Sequence, residues 1–138
     1  MSKILEVNDL CKSFVVKKRL LGENDVVSAV NHVSLGLEEG EVLGIVGESG
    51  CGKTTTGRTI IRLYDPTWGT VKFNGIEISG KMDRELHKYI TDHIAMIFQD
   101  PMTSLNPYMK IGEQLMEVLQ LHKGYDKQTA FAGSVKML

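Results

Sequence analysis

The sequence has few of the features that mark secreted, membrane-spanning or nucleic-acid-binding proteins. Only two cysteines, Cys11 and Cys51, occur in its 138 residues, which is too few for a disulfide framework or a cysteine metal site. The net charge is -1, so no general basic field favours nucleic acid. No apolar run is long enough to cross a bilayer, and the first residues have no signal-peptide core. We therefore expect a cytosolic globular protein that binds no nucleic acid.

One motif stands out, Gly47–Thr54, which reads G-x-x-x-x-G-K-T. The apolar run Glu41–Val46 precedes it and predicts a buried strand, and Thr54–Leu63 predicts a helix. Strand, glycine loop and helix form the context in which this motif binds phosphate. A glycine-rich turn that matches by chance is the plainer interpretation, and this context favours the phosphate loop.

The residue types of this loop suit the binding of a nucleoside triphosphate. Glycines allow successive backbone N–H groups to turn inward into a concave anion site, and the following helix adds its positive N-terminal end. Lys53 supplies a mobile charge for the β- and γ-phosphates. Thr54 offers a hydroxyl to Mg²⁺, which prefers oxygen ligands. The motif therefore predicts a nucleotide site with magnesium.

The rest of the chain alternates between strand and helix patterns. Asn74-Gly75 lies between two alternating runs and predicts a β-hairpin, and the continuously apolar run Ile94–Phe98 predicts a strand covered on both sides. The loop Gln99–Met109 contains two prolines, and loops of this length are often functional. The other predictions are extended segments at Lys3–Val7, Leu10–Val16, Val26–Val30 and Val33–Leu37, and helices at Met82–Ile90, Ile111–Leu121 and Lys127–Leu138.

Two segments resemble the N-terminal part of an ATP-binding cassette (ABC) transporter ATPase, in the oligopeptide and dipeptide importer group that also contains nickel importers. They are Gly44–Thr55, around the phosphate loop, and Met96–Pro107, which is long and unusual enough to be highly specific. The resemblance covers essentially the whole chain. It implies an α/β fold: a P-loop NTPase core with an N-terminal antiparallel β-subdomain, an incomplete parallel sheet and the start of a helical subdomain.

The resemblance also implies how one domain, 1–138, is divided and where it acts. It implies a cytoplasmic protein that is peripheral on the inner face of the cell membrane. The implied parts are 1–40 and 69–80 as mainly antiparallel β, 41–64 and 82–99 as P-loop core, and 100–138 as Q-loop and start of the helical subdomain.

Family roles transfer to single residues of this chain, with ATP and Mg²⁺ as the implied ligands. Phe14 matches an aromatic residue that stacks on adenine, and Gln99 matches a catalytic glutamine that contacts Mg²⁺ and the attacking water. The loop Gln99–Met109 resembles the surface that docks transmembrane permease subunits, and a second ATPase subunit is the other implied partner. The resemblance assigns nucleotide binding to Gly47, Glu48, Ser49, Gly50, Cys51, Gly52, Lys53, Thr54 and Thr55, with Thr54 also at the metal.

The sequence departs from the family after Gln99. It contains no Leu-Ser-Gly-Gly-Gln signature, no second apolar strand ending in Asp-Glu, and no histidine at the place of the family's switch histidine. In the family, two strands lie between the P-loop strand and the Gln99 strand, so an open sheet edge is expected here. We therefore expect a fragment of an importer ATPase, unstable or oligomeric, that binds nucleotide weakly and does not hydrolyse it.

Two other interpretations stay open. In a small P-loop kinase or NTPase, Ile94–Asp100 would be a Walker-B-like strand in which Asp100 binds Mg²⁺, although a proline follows Asp100 directly. In a non-enzymatic fragment, the loop Gln99–Met109 would dock on a membrane partner without nucleotide chemistry. Phosphorylation of an acceptor would favour the first, and absence of ATP affinity would favour the second.

Overall fold

The computed structural model describes residues 3–17, 24–99 and 105–138. These residues form two units, Met1–Thr91 and Asp92–Leu138, each with its own packing. In the described ranges, no helix is both long and apolar enough to cross a membrane.

The first unit is organised around an antiparallel sheet. Val7 lies opposite Leu35 on one neighbouring strand and Val71 on the other, and such apolar cross-strand pairs stabilise a sheet. The predicted antiparallel subdomain is confirmed. The strands are β1 (Lys3–Lys17), β2 (Asp25–Glu38), β3 (Trp68–Phe73) and β4 (Ile76–Glu77), in the order β2-β1-β3-β4. The buried apolar residues of this unit are Val7, Leu10, Val30, Ile60, Val71 and Ile78.

The predicted hairpin at Asn74-Gly75 is confirmed as the turn between β3 and β4. Asn74 and Gly75 both have a positive φ, 49° and 77°, which is the conformation of a tight two-residue hairpin turn. Phe73 pairs with Ile76 across this turn. The hairpin therefore forms because Asn74 and Gly75 adopt the positive φ that the turn requires, as the sequence predicted.

β1 and β2 each join two segments that the sequence separates. The register of β1 is irregular between Val7 and Leu10, where Asp9 has a φ of 54°. Asp9 is held there because its N–H donates to Ser34 Oγ at 2.9 Å and its Oδ1 lies 2.7 Å from His32 Nδ1. The expected break is therefore a bulge within one long strand.

α1 (Lys53–Ile60) ends before the predicted Leu63. Arg62, with a φ of 63°, turns the chain out of the helix. Its buried guanidinium donates to Ile78 O and to Gly80 O. It also lies 2.9 Å from Asp65 Oδ1. A buried charge requires such partners, so Arg62 connects the end of α1 to the end of the hairpin.

α2 (Arg84–His93) confirms the helix predicted at Met82–Ile90, with later bounds. The Asp83 carboxylate accepts from Leu86 N–H at 2.8 Å. This hydrogen bond is typical of a helix N-cap, and it explains why the helix begins after Asp83.

The second unit contains two further helices that the sequence predicted, α3 (Ile111–Lys123) and α4 (Lys127–Met137). Gly124 ends α3 with a φ of 65°, as glycine commonly does. Asp126 begins α4 by accepting from Thr129 N–H at 2.8 Å, and this hydrogen bond holds the pKa of the Asp126 carboxyl below its ordinary value. The buried residues of the two helices are Leu119, Ala130 and Ser134.

Two strands predicted for a parallel sheet are wrong. Glu41–Val46 and Ile94–Phe98 have no regular secondary structure. Val42 and Val46 are 94% exposed, and Ile97 is 95% exposed. A strand is stabilised by hydrogen bonds to a neighbouring strand, and neither segment has one within residues 3–17, 24–99 and 105–138. Apolar composition without a pairing partner is not sufficient to form a strand.

Candidate functional site

The phosphate loop is anchored to the sheet at Gly52. This residue has a φ of 95°, and a Cβ atom here would lie 2.3 Å from Ala29 O of β2. Glycine meets both requirements, the left-handed backbone and the close approach. The junction between the loop and α1 is therefore held against the sheet.

The Lys53 side chain folds back over the loop. Its Nζ donates to Gly47 O and Glu48 O, both at 2.6 Å, and lies 3.5 Å from Cys51 Sγ. The Cys51 N–H also donates to Glu48 O, at 3.3 Å. The structure thus brings together four of the residues predicted to bind nucleotide, with the lysine ammonium at their centre.

Two glycines shape the exposed side of the loop for different reasons. A Cβ atom on Gly47 would lie 2.6 Å from Cys51 Sγ, so a side chain there would fill the turn. Gly50 has open space around it but a φ of 82°, a conformation that L-residues with side chains rarely adopt. Ser49, between them, is exposed.

The N-terminal end of α1 has no side-chain cap. Gly52 at the N-cap has no side-chain oxygen to accept a hydrogen bond, and the described first turn of α1 contains no acidic residue. The first helical hydrogen bond runs from Thr56 N–H to Gly52 O at 2.8 Å. The positive end of the helix dipole is therefore not neutralised by side chains of α1, and a phosphate there would be stabilised by it.

Thr54 and Thr55 lie in the first turn of α1. Thr54 is exposed and Thr55 is half-buried, and the Thr54 hydroxyl is the kind of oxygen ligand that Mg²⁺ accepts. Over the part of the chain that the structure describes, no group of three or more His, Cys, Asp or Glu residues could hold a metal ion. The exposed Thr54 hydroxyl fits a magnesium ion that takes its other oxygen ligands from phosphate and water.

Phe14 lies in a cluster of aromatic and cationic side chains in the same unit. Its ring centroid is 5.3 Å from that of Tyr64, with the planes at 88°, and Lys12 Nζ lies 4.8 Å from the Phe14 centroid. Phe14 is 36% exposed. The part of the Phe14 ring that Tyr64 and Lys12 leave exposed is the surface on which a base could stack.

Gln99 belongs to the second unit, whereas the phosphate loop belongs to the first. It is exposed and follows the irregular segment Ile94–Phe98. Asp100, the magnesium ligand of the kinase interpretation, lies outside the described residues, as do 101–104.

The described end of the loop Gln99–Met109 is held by Gln114 of α3. The Gln114 side chain accepts from Asn106 N–H at 3.0 Å and donates to Asn106 O at 3.0 Å and Met109 O at 3.1 Å. Tyr108, between them, is 95% exposed. One amide side chain thus fixes the backbone that presents Tyr108 to solvent.

Sequence reasoning missed Arg58, Tyr64 and Gln114. Arg58 Nη1 donates to Tyr64 OH at 3.1 Å, which connects α1 to the aromatic cluster around Phe14. An aromatic residue shortly after the helix of a phosphate loop is a signal that could have pointed to Tyr64. No local signal marks Gln114, because its partners depend on how the preceding loop folds.

Comparisons with known proteins agree with this geometry. The ABC transporter family model matches residues 30–136. The chain is 52% identical to the oligopeptide transport ATP-binding protein OppD of Haemophilus influenzae, covering 100% of this chain and 42% of that protein. It is 51% identical to OppD of Salmonella typhimurium, covering 98% and 39%. The chain therefore spans about two fifths of the length of these relatives.

Solved structures of ATP-binding cassettes have the same fold. The dimeric cassette MJ0796, in a post-hydrolysis state bound to ADP and Pi, matches with a TM-score of 0.78 at 26% identity, over 96% of this chain and 54% of that chain. A nucleotide-free cassette from an ABC transporter matches with a TM-score of 0.63 at 25% identity, over 94% and 45%. The predicted α/β fold class is confirmed as that of the N-terminal part of such a cassette.

Proposed function

We propose that this chain, which belongs to the ABC transporter family, provides the nucleotide-binding part of an ATPase subunit that drives import of a peptide-type solute. The observation that carries the proposal is the closed phosphate loop, in which Lys53 Nζ contacts Gly47 O, Glu48 O and Cys51 Sγ. A mobile ammonium on exposed carbonyls can exchange those partners for phosphate oxygens, which form stronger, charge-assisted hydrogen bonds.

Each end of ATP has a group to receive it in the first unit. The N-terminal end of α1 and the glycine backbone receive the phosphates, Thr55 reaches the α-phosphate, and Phe14 stacks on the adenine. Thr54 would hold the magnesium ion, which neutralises charge on the β- and γ-phosphates when it is bound. Gln99 would contact the ion and orient the attacking water.

The partners of the chain are proposed from its family. Permease subunits dock on the loop Gln99–Met109, where Tyr108 is exposed, and a second ATPase subunit completes the nucleotide site. With these partners, we propose that the protein lies at the cytoplasmic face of the membrane. The peptide class rests on the OppD relatives, which are oligopeptide transport ATP-binding proteins. We expect this chain alone to bind ATP weakly without hydrolysing it, since its sequence has no signature motif and no Asp-Glu strand end.

Calorimetric titration with Mg-ATP tests the nucleotide site. We expect Lys53→Ala to weaken ATP binding about tenfold or more, because charged hydrogen bonds contribute about 1.5–3 kcal/mol each and 1.4 kcal/mol is a factor of ten in affinity. Lys72→Ala, which removes an exposed lysine of β3, is the matched control and should bind like the wild type.

Two results would contradict the proposal. The first is equal ATP affinity of the wild type and Lys53→Ala, which would remove the phosphate loop from binding. The second is a wild type that does not bind ATP at all, which would favour a docking fragment without nucleotide chemistry.

A further inference from the structure

We propose that Tyr64 is a positioning residue for Phe14 and thereby determines how firmly the chain holds a nucleobase. The inference rests on the proposed ATP site, in which Phe14 receives the base. The inference adds Tyr64 to that site as a residue that affects base binding through the neighbouring Phe14 ring and does not contact the phosphates.

The first observation is the geometry of the aromatic pair. The ring centroids of Phe14 and Tyr64 are 5.3 Å apart, and the planes are nearly perpendicular, at 88°. This edge-to-face arrangement is favourable for aromatic rings beyond the area it buries. Since Phe14 is 36% exposed near the end of β1, a restraint on its side chain decides whether one ring orientation dominates.

The second observation is that α1 holds Tyr64 in place. Arg58 Nη1 donates to Tyr64 OH at 3.1 Å, and the guanidinium lies 5.9 Å from the Tyr64 ring centroid. The Tyr64 N–H donates to Arg58 O at 3.2 Å. Backbone and side chain of Tyr64 are thus both bound to the helix that begins at Lys53.

The third observation is that β1 is tied to the segment around Tyr64. Lys12 Nζ donates to Asp65 O at 2.8 Å while it lies over the Phe14 ring. Ser13 N–H donates to Thr67 Oγ1 at 2.9 Å. These two bonds tie the strand that carries Phe14 to the segment that carries Tyr64, so the backbones that bear the two rings are held close together.

These contacts separate two parts of the binding free energy. Phosphate binding depends on Lys53 and the loop backbone, which Tyr64 does not contact in the structure. Base binding depends on the orientation of the Phe14 ring. Loss of the Tyr64 ring should therefore weaken binding of a ligand that has a base and leave unchanged a ligand that has only phosphates.

The test compares two probes on the full 138-residue chain, ATP and inorganic tripolyphosphate, both with magnesium. We expect Tyr64→Leu to weaken ATP binding about twofold to tenfold, the range for an aromatic pair, with tripolyphosphate affinity unchanged. Tyr64→Phe, which keeps the ring, should retain most of the ATP affinity. Tyr89→Leu removes the ring of the other aromatic pair, 6.1 Å from Phe73, and should alter neither affinity.

A double-mutant cycle shows whether Tyr64 acts through Phe14. If it does, Phe14→Ala combined with Tyr64→Leu should bind ATP no more weakly than Phe14→Ala alone. Additive losses would overturn the inference, and so would equal losses for ATP and tripolyphosphate or unchanged ATP affinity in Tyr64→Leu. Should Tyr64→Leu not fold, Tyr64→Met decides by the same comparison of the two probes, because it also removes the aromatic ring while it keeps a long, adaptable apolar side chain.

The two proposals fail in different ways. A wild type that binds no ATP overturns both. A wild type whose ATP binding requires Lys53 but not Tyr64 overturns only the role of Tyr64.

Discussion

The antiparallel sheet and the segment that leads into the phosphate loop are both rich in apolar residues, but only the sheet buries some of them fully. Leu10 and Val71 in the sheet are 0% exposed, whereas Val42 and Val46 before the loop are 94% exposed. The strands of the sheet are all paired, β3 with β4 through a short hairpin and β1 with both β2 and the more distant β3. The segment Glu41–Val46 has no pairing partner in the described chain.

This difference shows which contacts hold the nucleotide loop. With no strand beside Glu41–Val46 in the described ranges, the loop depends on Gly52 against Ala29 O and on the Lys53 contacts. Regions with few buried apolar contacts open at lower free energy than the core. The loop is therefore expected to be less stable locally than the sheet, and ligand binding should stabilise it.

The largest effect should come from the core of the sheet. Leu10→Ala should lower the free energy of unfolding by about 2–5 kcal/mol, because the side chain is fully buried and its loss leaves a cavity. Val46→Ala should change it by less than about 0.5 kcal/mol, since Val46 is exposed. Urea unfolding followed by circular dichroism measures both. Similar losses in the two variants would mean that Val46 is buried in solution.

A smaller effect should appear where the loop meets the sheet. Gly52→Ala should cost about 2–3 kcal/mol, because it combines a left-handed backbone with a Cβ atom 2.3 Å from Ala29 O. Gly50→Ala also has a positive φ but nothing within 4 Å of its Cβ atom, so it should cost about 1 kcal/mol. Thermal unfolding of the two variants isolates the contact, and equal costs would show that the loop is not anchored to β2.

The local rules of sequence predicted the sheet better than the phosphate-loop core. Asn74-Gly75 specifies its turn by backbone conformation alone. By contrast, Glu41–Val46 and Ile94–Phe98 were predicted as strands from their apolar composition, which does not include the partner that a strand requires. The site residues differ in the same way. Lys53 could be predicted from its motif, whereas Tyr64 could be identified only from its contacts in the structure.

The smallest effect concerns two helix N-termini. α4 is capped by Asp126, whereas α1 begins at Gly52 without a side-chain cap. Because the pKa of the Asp126 carboxyl is lowered in the folded chain, its cap contributes fully above the ordinary pKa of aspartate. This contribution is lost as pH falls through the lowered value.

Nuclear magnetic resonance of the Thr129 amide measures this titration. We expect its midpoint to lie below that of aspartate in an unstructured peptide, and Asp126→Asn should abolish the transition. A midpoint at or above the unstructured value would show that the carboxylate does not cap α4 in solution.

The sequence by itself determined the phosphate loop, the hairpin and the helices α2, α3 and α4, because each depends on residues close together in the chain. Only the tertiary structure decided that Glu41–Val46 stays unpaired, that Arg62 ends α1, and that Tyr64 joins α1 to Phe14. The physical reason is that pairing, burial and ring contacts depend on neighbours in space. Conformational preference and charge are properties of single residues, so they can be read directly from the sequence.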